Sequence, residues 1–282
     1  MSAPNSPPAG DAPPQDADAL ALLFAELCVA AGAIAVEVFA RAEIAARVKN
    51  DASPVTEADE RIEAFLLAEL SRRLPHLPLI AEERSARGET PEQTGAFLLI
   101  DPLDGTREFI ARRREFTLNI ALIENGAPKA GAVYAPALDE LWFAGAKAFY
   151  AAAAPGGPLP ARENWRPLHT RPRPKDGLTA LVSRSHVDAQ TEGFLAREKI
   201  KQRIDAGSSL KFCRLAEGVA DIYPRFGPTM EWDTAAGDAV LRAAGGAVLT
   251  PEGAPFLYGK AAQNYRNGPF IAYGDPAAAT LS

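Results

Sequence analysis

The stretch FLLIDPLDGTREF, residues 97–109, constrains the fold more than any other part of the chain. Phe97, Leu98, Leu99 and Ile100 follow one another with no polar alternation, so a strand here has to be covered on both faces. Directly afterwards come Asp101, Pro102, Asp104, Gly105 and Thr106, the composition of a turn. A chain built around this stretch therefore needs at least two layers over one sheet. It also brings two carboxylates out at the mouth of a buried strand, beside a Gly-Thr pair, where they suggest a site.

The flanking sequence supplies the layers. Leu22, Leu23, Leu27, Ala30, Ile34 and Phe39 recur at helical spacing and predict a long helix from Ala19 to about Ala46. Pro54 marks a break, and Ile62, Phe65, Leu66 and Leu70 predict a second amphipathic helix. Leu79 to Ala81 reads as a short strand ending in Glu82-Glu83, and Arg84 to Gly95 as an exposed, mobile loop. Phe116 to Ile123, Gly131 to Tyr134 and Glu140 to Ala144 read as an antiparallel meander turning at Glu124-Asn125-Gly126, with Phe149 to Ala151 as a further edge.

The Pro-, Ala- and Gly-rich segment from Ala152 to Asp176 reads as a connection. Beyond it, strands are expected at Leu178–Ser183, Ala220–Tyr223, Ala247–Thr250 and Pro269–Tyr273. Helices are expected at Asp188–Arg197, Leu210–Gly218 and Thr234–Ala244, the last closed by Gly245-Gly246. The 282 residues divide into a disordered tail over residues 1–17, an N-terminal α+β sub-domain over residues 18–160 carrying the acids, and a C-terminal α/β sub-domain over residues 161–282 carrying a substrate pocket.

Charge and cysteine usage exclude several classes. A net charge of -6 makes the chain a poor general binder of nucleic acid, so an anionic ligand has to be met locally. Cys28 and Cys213 are scattered, which fits a reducing compartment, and His76, His169 and His186 form no zinc-type spacing. No apolar run is expected to reach the roughly 20 residues of a membrane span. No secretion signal is read at the N-terminus.

Acids recur at element boundaries: Asp51 and Asp59 around SPVTEAD, Glu82 and Glu83, Asp101 and Asp104, and Asp233 in EWDTAAGDA. Asp233 precedes an expected helix start, where a plain helix cap is its alternative reading. Carboxylates converging without basic partners either rise in pKa or are held by cations. Oxygen donors without His or Cys favour magnesium, with manganese as a substitute. Thr106 adds a hydroxyl, and a helix starting at Gly105 offers N–H groups to a phosphate. These are the parts of metal-assisted phosphate hydrolysis by two cations.

DPLDGT, the upstream EE, SPVTEAD and EWDTAAGDAVLRAAGG resemble the inositol monophosphatase superfamily of magnesium-dependent, lithium-sensitive phosphatases. GTREFI, SRSHVD and GSSLKFCRLAEGVADIYPRFGPT are similar to its bacterial 3'(2'),5'-bisphosphate nucleotidases of CysQ type. The resemblance covers Leu20 to Asp275. It implies a layered α-β-α-β-α sandwich of the inositol monophosphatase / fructose-1,6-bisphosphatase type. It implies a first magnesium on Glu82, Asp101 and the Leu103 carbonyl, a second on Asp101, Asp104 and Asp233, and a third, weaker position near Glu82 and Asp59.

In the same resemblance Thr106 and Asp59 orient and deprotonate the attacking water, and Gly105 and Thr106 receive the phosphate. Ser183, His186, Ser208, Lys211 and Arg225 meet the nucleotide, with Lys211 and Arg225 at its 5'-phosphate. Lys49 reads as simply exposed and Trp232 as core packing. Ala81 stands where a small hydroxyl residue is expected. The implied reaction converts adenosine 3',5'-bisphosphate to AMP and phosphate in cytoplasmic sulfur metabolism. The resemblance leaves room for a homodimer and for a peripheral contact with the inner membrane. An inositol or sugar monophosphatase and a non-catalytic adenosine bisphosphate sensor are the alternatives.

Overall fold

The computed structural model describes residues 16–49, 53–93, 95–183 and 188–277. A seven-stranded sheet has the order β3-β4-β5-β6-β7-β8-β9. Its strands are β3 (Leu79–Ala81), β4 (Phe97–Asp104), β5 (Thr117–Glu124), β6 (Ala127–Ala135), β7 (Glu140–Ala144), β8 (Ala148–Ala152) and β9 (Arg166–Pro167). β3 pairs parallel to β4 and every later neighbour is antiparallel. β9 lies beyond residue 160 and forms the edge of this sheet.

A five-stranded sheet has the order β11-β10-β12-β14-β13. It comprises β10 (Leu178–Ser183), β11 (Ile200–Ala206), β12 (Ile222–Arg225), β13 (Ala247–Leu249) and β14 (Phe270–Tyr273).

The unbroken apolar runs are explained by cover on both faces. In β4, Leu98 and Ile100 point into one core with α1 (Ala17–Phe39) and α2 (Glu57–Arg73), whereas Phe97 and Leu99 point into a second. β5 repeats the division, with Leu118, Ile120 and Leu122 on one side and Ala121 and Ile123 on the other. The second core is filled by α6 (Leu210–Ala216) and α7 (Glu231–Ala243), which lie between the two sheets. The outer face of the smaller sheet packs on α5 (Ala189–Leu195) in a third core. The result is the α-β-α-β-α sandwich. A Cβ on Gly131 of β6 would stand 2.8 Å from the Ala239 Cβ, so glycine there lets α7 lie close on the sheet.

Several boundaries differ from the sequence reading. α1 starts at Ala17, capped by Asp16, and stops at Phe39 rather than near Ala46. Residues 46–48 instead form β1 (Ala46–Val48), which pairs with β2 (Pro54–Thr56). A short helix, α3 (Glu82–Ala86), occupies the start of the expected loop, and α4 (Thr106–Ile110) follows the acid motif. β11 was not anticipated. α7 begins at Glu231, so Asp233 lies inside its first turn rather than before it.

α1 also overturns the expectation about membrane-length runs. It has 23 residues, and its mean hydropathy of 2.3 is enough by length and composition for a span. Its most apolar stretch is 56% buried, and its buried face packs on β6, β7 and α2.

Candidate active site

The acids collect where the ends of β3 and β4 meet the starts of α2 and α7. β4 runs on through the motif with an irregularity between Asp101 and Asp104, whose carboxylates lie near enough for Asp104 to raise the Asp101 pKa. Asp101 Oδ1 accepts the Leu103 N–H at 3.0 Å. Asp104 Oδ2 accepts the Ser209 N–H at 2.6 Å, linking the large sheet to α6. Asp233 Oδ2 accepts the Met230 N–H at 2.8 Å, so it does cap α7, and its other oxygen remains for the cluster. Capping and ligation are therefore compatible for this residue.

Asp59, in the first turn of α2, is 1% exposed. Its Oδ2 accepts from the Thr56 N–H at 2.8 Å and the Thr56 hydroxyl at 2.5 Å. Its Oδ1 accepts from the Thr106 hydroxyl at 3.1 Å, and that hydroxyl also lies 3.2 Å from the Leu103 carbonyl. Thr106 opens α4 after Gly105, whose φ is 93°. Glycine is needed there both for that conformation and because a Cβ would meet the Glu115 carbonyl at 3.2 Å.

The electrostatics show how strained this gathering is. Burial, followed by the charges of Glu82, Asp104 and Asp233, raises the Asp101 pKa well above the usual carboxylate range. Burial and then Asp104 and Glu82 do the same to Asp233. Asp104 is pushed up to about 7 by burial, against the opposing pull of Lys211. Glu82 is raised by burial against the pull of Lys49; its side chain keeps 23% exposure, so this is desolvation in a cleft rather than in a closed core.

Among the described residues no three such groups converge at metal-ligand spacing. Glu82 and Asp101 share a side-chain hydrogen bond, and the four acids lie near enough to raise one another's pKa. An all-oxygen, negatively charged and desolvated donor set of this kind fits a hard divalent cation.

Lys49 was expected to be exposed, and it is not. Its side chain is 9% exposed, and its ammonium reaches Glu82 at 2.6 Å and Glu83 at 2.7 Å. The segment around it has no periodicity, so only its place beside SPVTEAD hinted at a role. Trp232 is core, packed with Tyr265.

A cavity of about 310 Å³ opens beside the acids. Glu82, Asp104, Gly105, Thr106 and Asp233 line it together with Ser183, Ser208, Lys211 and Arg225. The Ser208 hydroxyl is buried without a hydrogen-bond partner, and its backbone has φ 42°. Lys211 is turned inward: its ammonium donates to the carbonyls of Ser208 at 2.6 Å and Ala206 at 3.3 Å and lies over the Tyr223 ring. Burial lowers its pKa to about 8. It fastens the loop that carries Ser208 as well as lending positive charge. Arg225 donates to the Pro228 carbonyl at 3.1 Å. His186, expected at the nucleotide, lies outside the described residues. Arg107 and Thr229 also line the cavity and were not singled out in the sequence.

Such a site, set between the sheets of a five-layered sandwich, defines a class. The chain belongs to the inositol monophosphatase family, whose sequence pattern matches residues 17–272. It is 41% identical over 211 residues to the 3'(2'),5'-bisphosphate nucleotidase CysQ of Escherichia coli K12, covering 74% of this chain and 81% of that protein. The crystal structure of CysQ from Bacteroides thetaiotaomicron is similar with a TM-score of 0.74 and 33% identity, over 90% of this chain and 97% of that one. An inositol monophosphatase from Anabaena shares the fold, with a TM-score of 0.72 and 24% identity over 95% of both chains.

The raised carboxyl pKa values carry a stability consequence. Asp59 is raised to about 6 and Asp104 to about 7, both mainly by burial. A raised carboxyl stabilises the fold below its unfolded value near 4, and that contribution is lost as pH rises through the folded value. The metal-free protein is therefore expected to melt about 5 °C or more lower at pH 8 than at pH 5.5, and magnesium to restore the difference at pH 8. Scanning calorimetry in EDTA and in magnesium checks this; a metal-free melting temperature that does not fall over that range contradicts it.

Proposed function

We propose that this chain is a magnesium-dependent phosphatase that removes the 3'-phosphate of adenosine 3',5'-bisphosphate, giving AMP and phosphate, in cytoplasmic sulfur metabolism. The observation that carries this reading is one cavity lined by Glu82, Asp104, Asp233, Thr106, Lys211, Arg225 and Ser208, whose hydroxyl is unpartnered, with Asp59 bonded to the Thr106 hydroxyl. The identity to nucleotidases named for this reaction supports the choice of substrate.

Glu82, Asp101, the Leu103 carbonyl, Asp104 and Asp233 would hold two magnesium ions, which supply Lewis acidity to the attacking and leaving oxygens. The protein's own groups supply the rest. Thr106 orients a water and relays its proton to Asp59, whose burial sets it at about 6, a base suited to neutral pH. The N–H groups of Gly105 and Thr106 receive the phosphate. Ser183 and Ser208 contact the nucleoside side of the substrate. Arg225 and Lys211 place positive charge toward its second phosphate.

A phosphate-release panel with magnesium tests the reading. It compares adenosine 3',5'-bisphosphate, its 2',5' isomer, 3'-phosphoadenylyl sulfate and inositol 1-phosphate. The first is expected to lead inositol 1-phosphate in kcat/KM by at least tenfold, about 1.4 kcal/mol. The reverse order by the same margin would make the chain an inositol phosphatase. Release no higher in magnesium than in EDTA would make it a sensor.

A further inference from the structure

We propose that Glu63 is a positioning residue for Glu82: from α2, its carboxylate caps the short helix that carries this acid. The inference rests on reading Glu82 as a metal ligand. α3 has only five residues, too few to hold itself as a helix. The residue at its N-cap, Ala81, has no side-chain acceptor, and no side chain caps the helix from that position. The first N–H groups of α3 therefore need an acceptor from elsewhere.

Glu63 provides one. It is 2% exposed, and its Oε2 accepts the Glu83 N–H at 2.7 Å. Its Oε1 takes the Arg87 guanidinium at 3.3 Å, at the C-terminal end of the same helix. One buried carboxylate thus fixes both ends of α3. Such a group is costly to bury unless bonded in this way.

Glu63 also stands four residues after Asp59 on α2, one helical turn away. α2 therefore fixes two parts of the site at once. Asp59 holds the Thr106 hydroxyl, and Glu63 holds the helix of Glu82. Partners that orient a metal ligand commonly govern metal affinity by about 10–100-fold.

Titration calorimetry of the metal-free protein with magnesium, alongside the magnesium dependence of phosphate release, tests this. Glu63→Ala is expected to weaken magnesium binding at least tenfold and to raise the half-activating concentration in step. At saturating magnesium, kcat stays within about threefold of wild type. Glu63→Gln keeps an acceptor oxygen at the same reach and is expected to stay within about threefold in affinity. Glu63→Asp keeps the charge but loses reach and is expected to resemble the alanine variant. If Glu63→Ala fails to fold, the order of the Gln and Asp variants decides.

Magnesium affinity unchanged in Glu63→Ala, with or without a fall in melting temperature, overturns the proposal. So does Glu63→Asp binding magnesium better than Glu63→Gln. A wild-type protein that takes up no magnesium overturns both this inference and the metal reading beneath it. A different preferred substrate leaves the affinities, and this inference, unaffected.

Discussion

Asp104→Asn is expected to lower magnesium-dependent phosphate release by about three orders of magnitude while the protein stays folded. The carboxylate stands at the end of β4, lines the cavity, and shares the negative field of Asp101 and Asp233. An amide in its place keeps an oxygen for the Ser209 N–H but removes the charge that the proposed second cation would need. Charge stabilisation by a catalytic metal is worth several kcal/mol, and each 1.36 kcal/mol is a factor of ten.

The same change relieves repulsion among the acids. The metal-free variant should therefore melt at or above the wild-type temperature at pH 8. Reduced turnover together with undiminished stability separates loss of a ligand from loss of the fold. Activity within tenfold of wild type at saturating magnesium would remove Asp104 from the metal site.

What the sequence made legible, and what it hid, follows from the range of the forces involved. β4, β5 and β6 announce themselves because both faces are covered, so apolar runs such as Phe97–Ile100 and Ile120–Ile123 dominate them, with Asn119 and Lys129 as interruptions. The acids stand out because Asp and Glu directly after such strands have no packing reason to be there. Non-local caps stay hidden. The run RAEIAARV continues the helical composition of α1, yet the helix stops at Phe39, where Arg112 reaches back to the carbonyls of Phe39, Arg41 and Ala42. α3 is too short for propensity to register, and the acceptor for its N–H groups lies 20 residues upstream.

β11 is an exposed edge in which polar Gln202 falls at the alternating position between Ile200 and Ile204, so alternation does not mark it. Lys49 and Glu63 look like solvated charges in the sequence. Only the folded arrangement sets each against a partner on α3.

Asp59→Asn is expected to reduce kcat by 10²–10⁴-fold and to abolish the acidic limb of the pH–rate profile. Burial is the main cause of the raised Asp59 pKa, about 6, with the Thr56 and Thr106 hydrogen bonds opposing it. The ionised form accepts the proton, so wild-type kcat should rise with pH through this value and then level. Cations bound by the neighbouring acids draw the pKa down, which places the limb at or below pH 6. Asparagine has no such titration, so its residual rate should not follow this limb. In the proposed relay Thr106 passes the proton to Asp59 through the hydrogen bond that joins them, so the two would act as one functional unit. Asp59→Asn combined with Thr106→Ala should therefore be little slower than the worse single variant. A double variant that multiplies the two losses would show that they act separately and would break the proton relay, whatever the metal ligands prove to be.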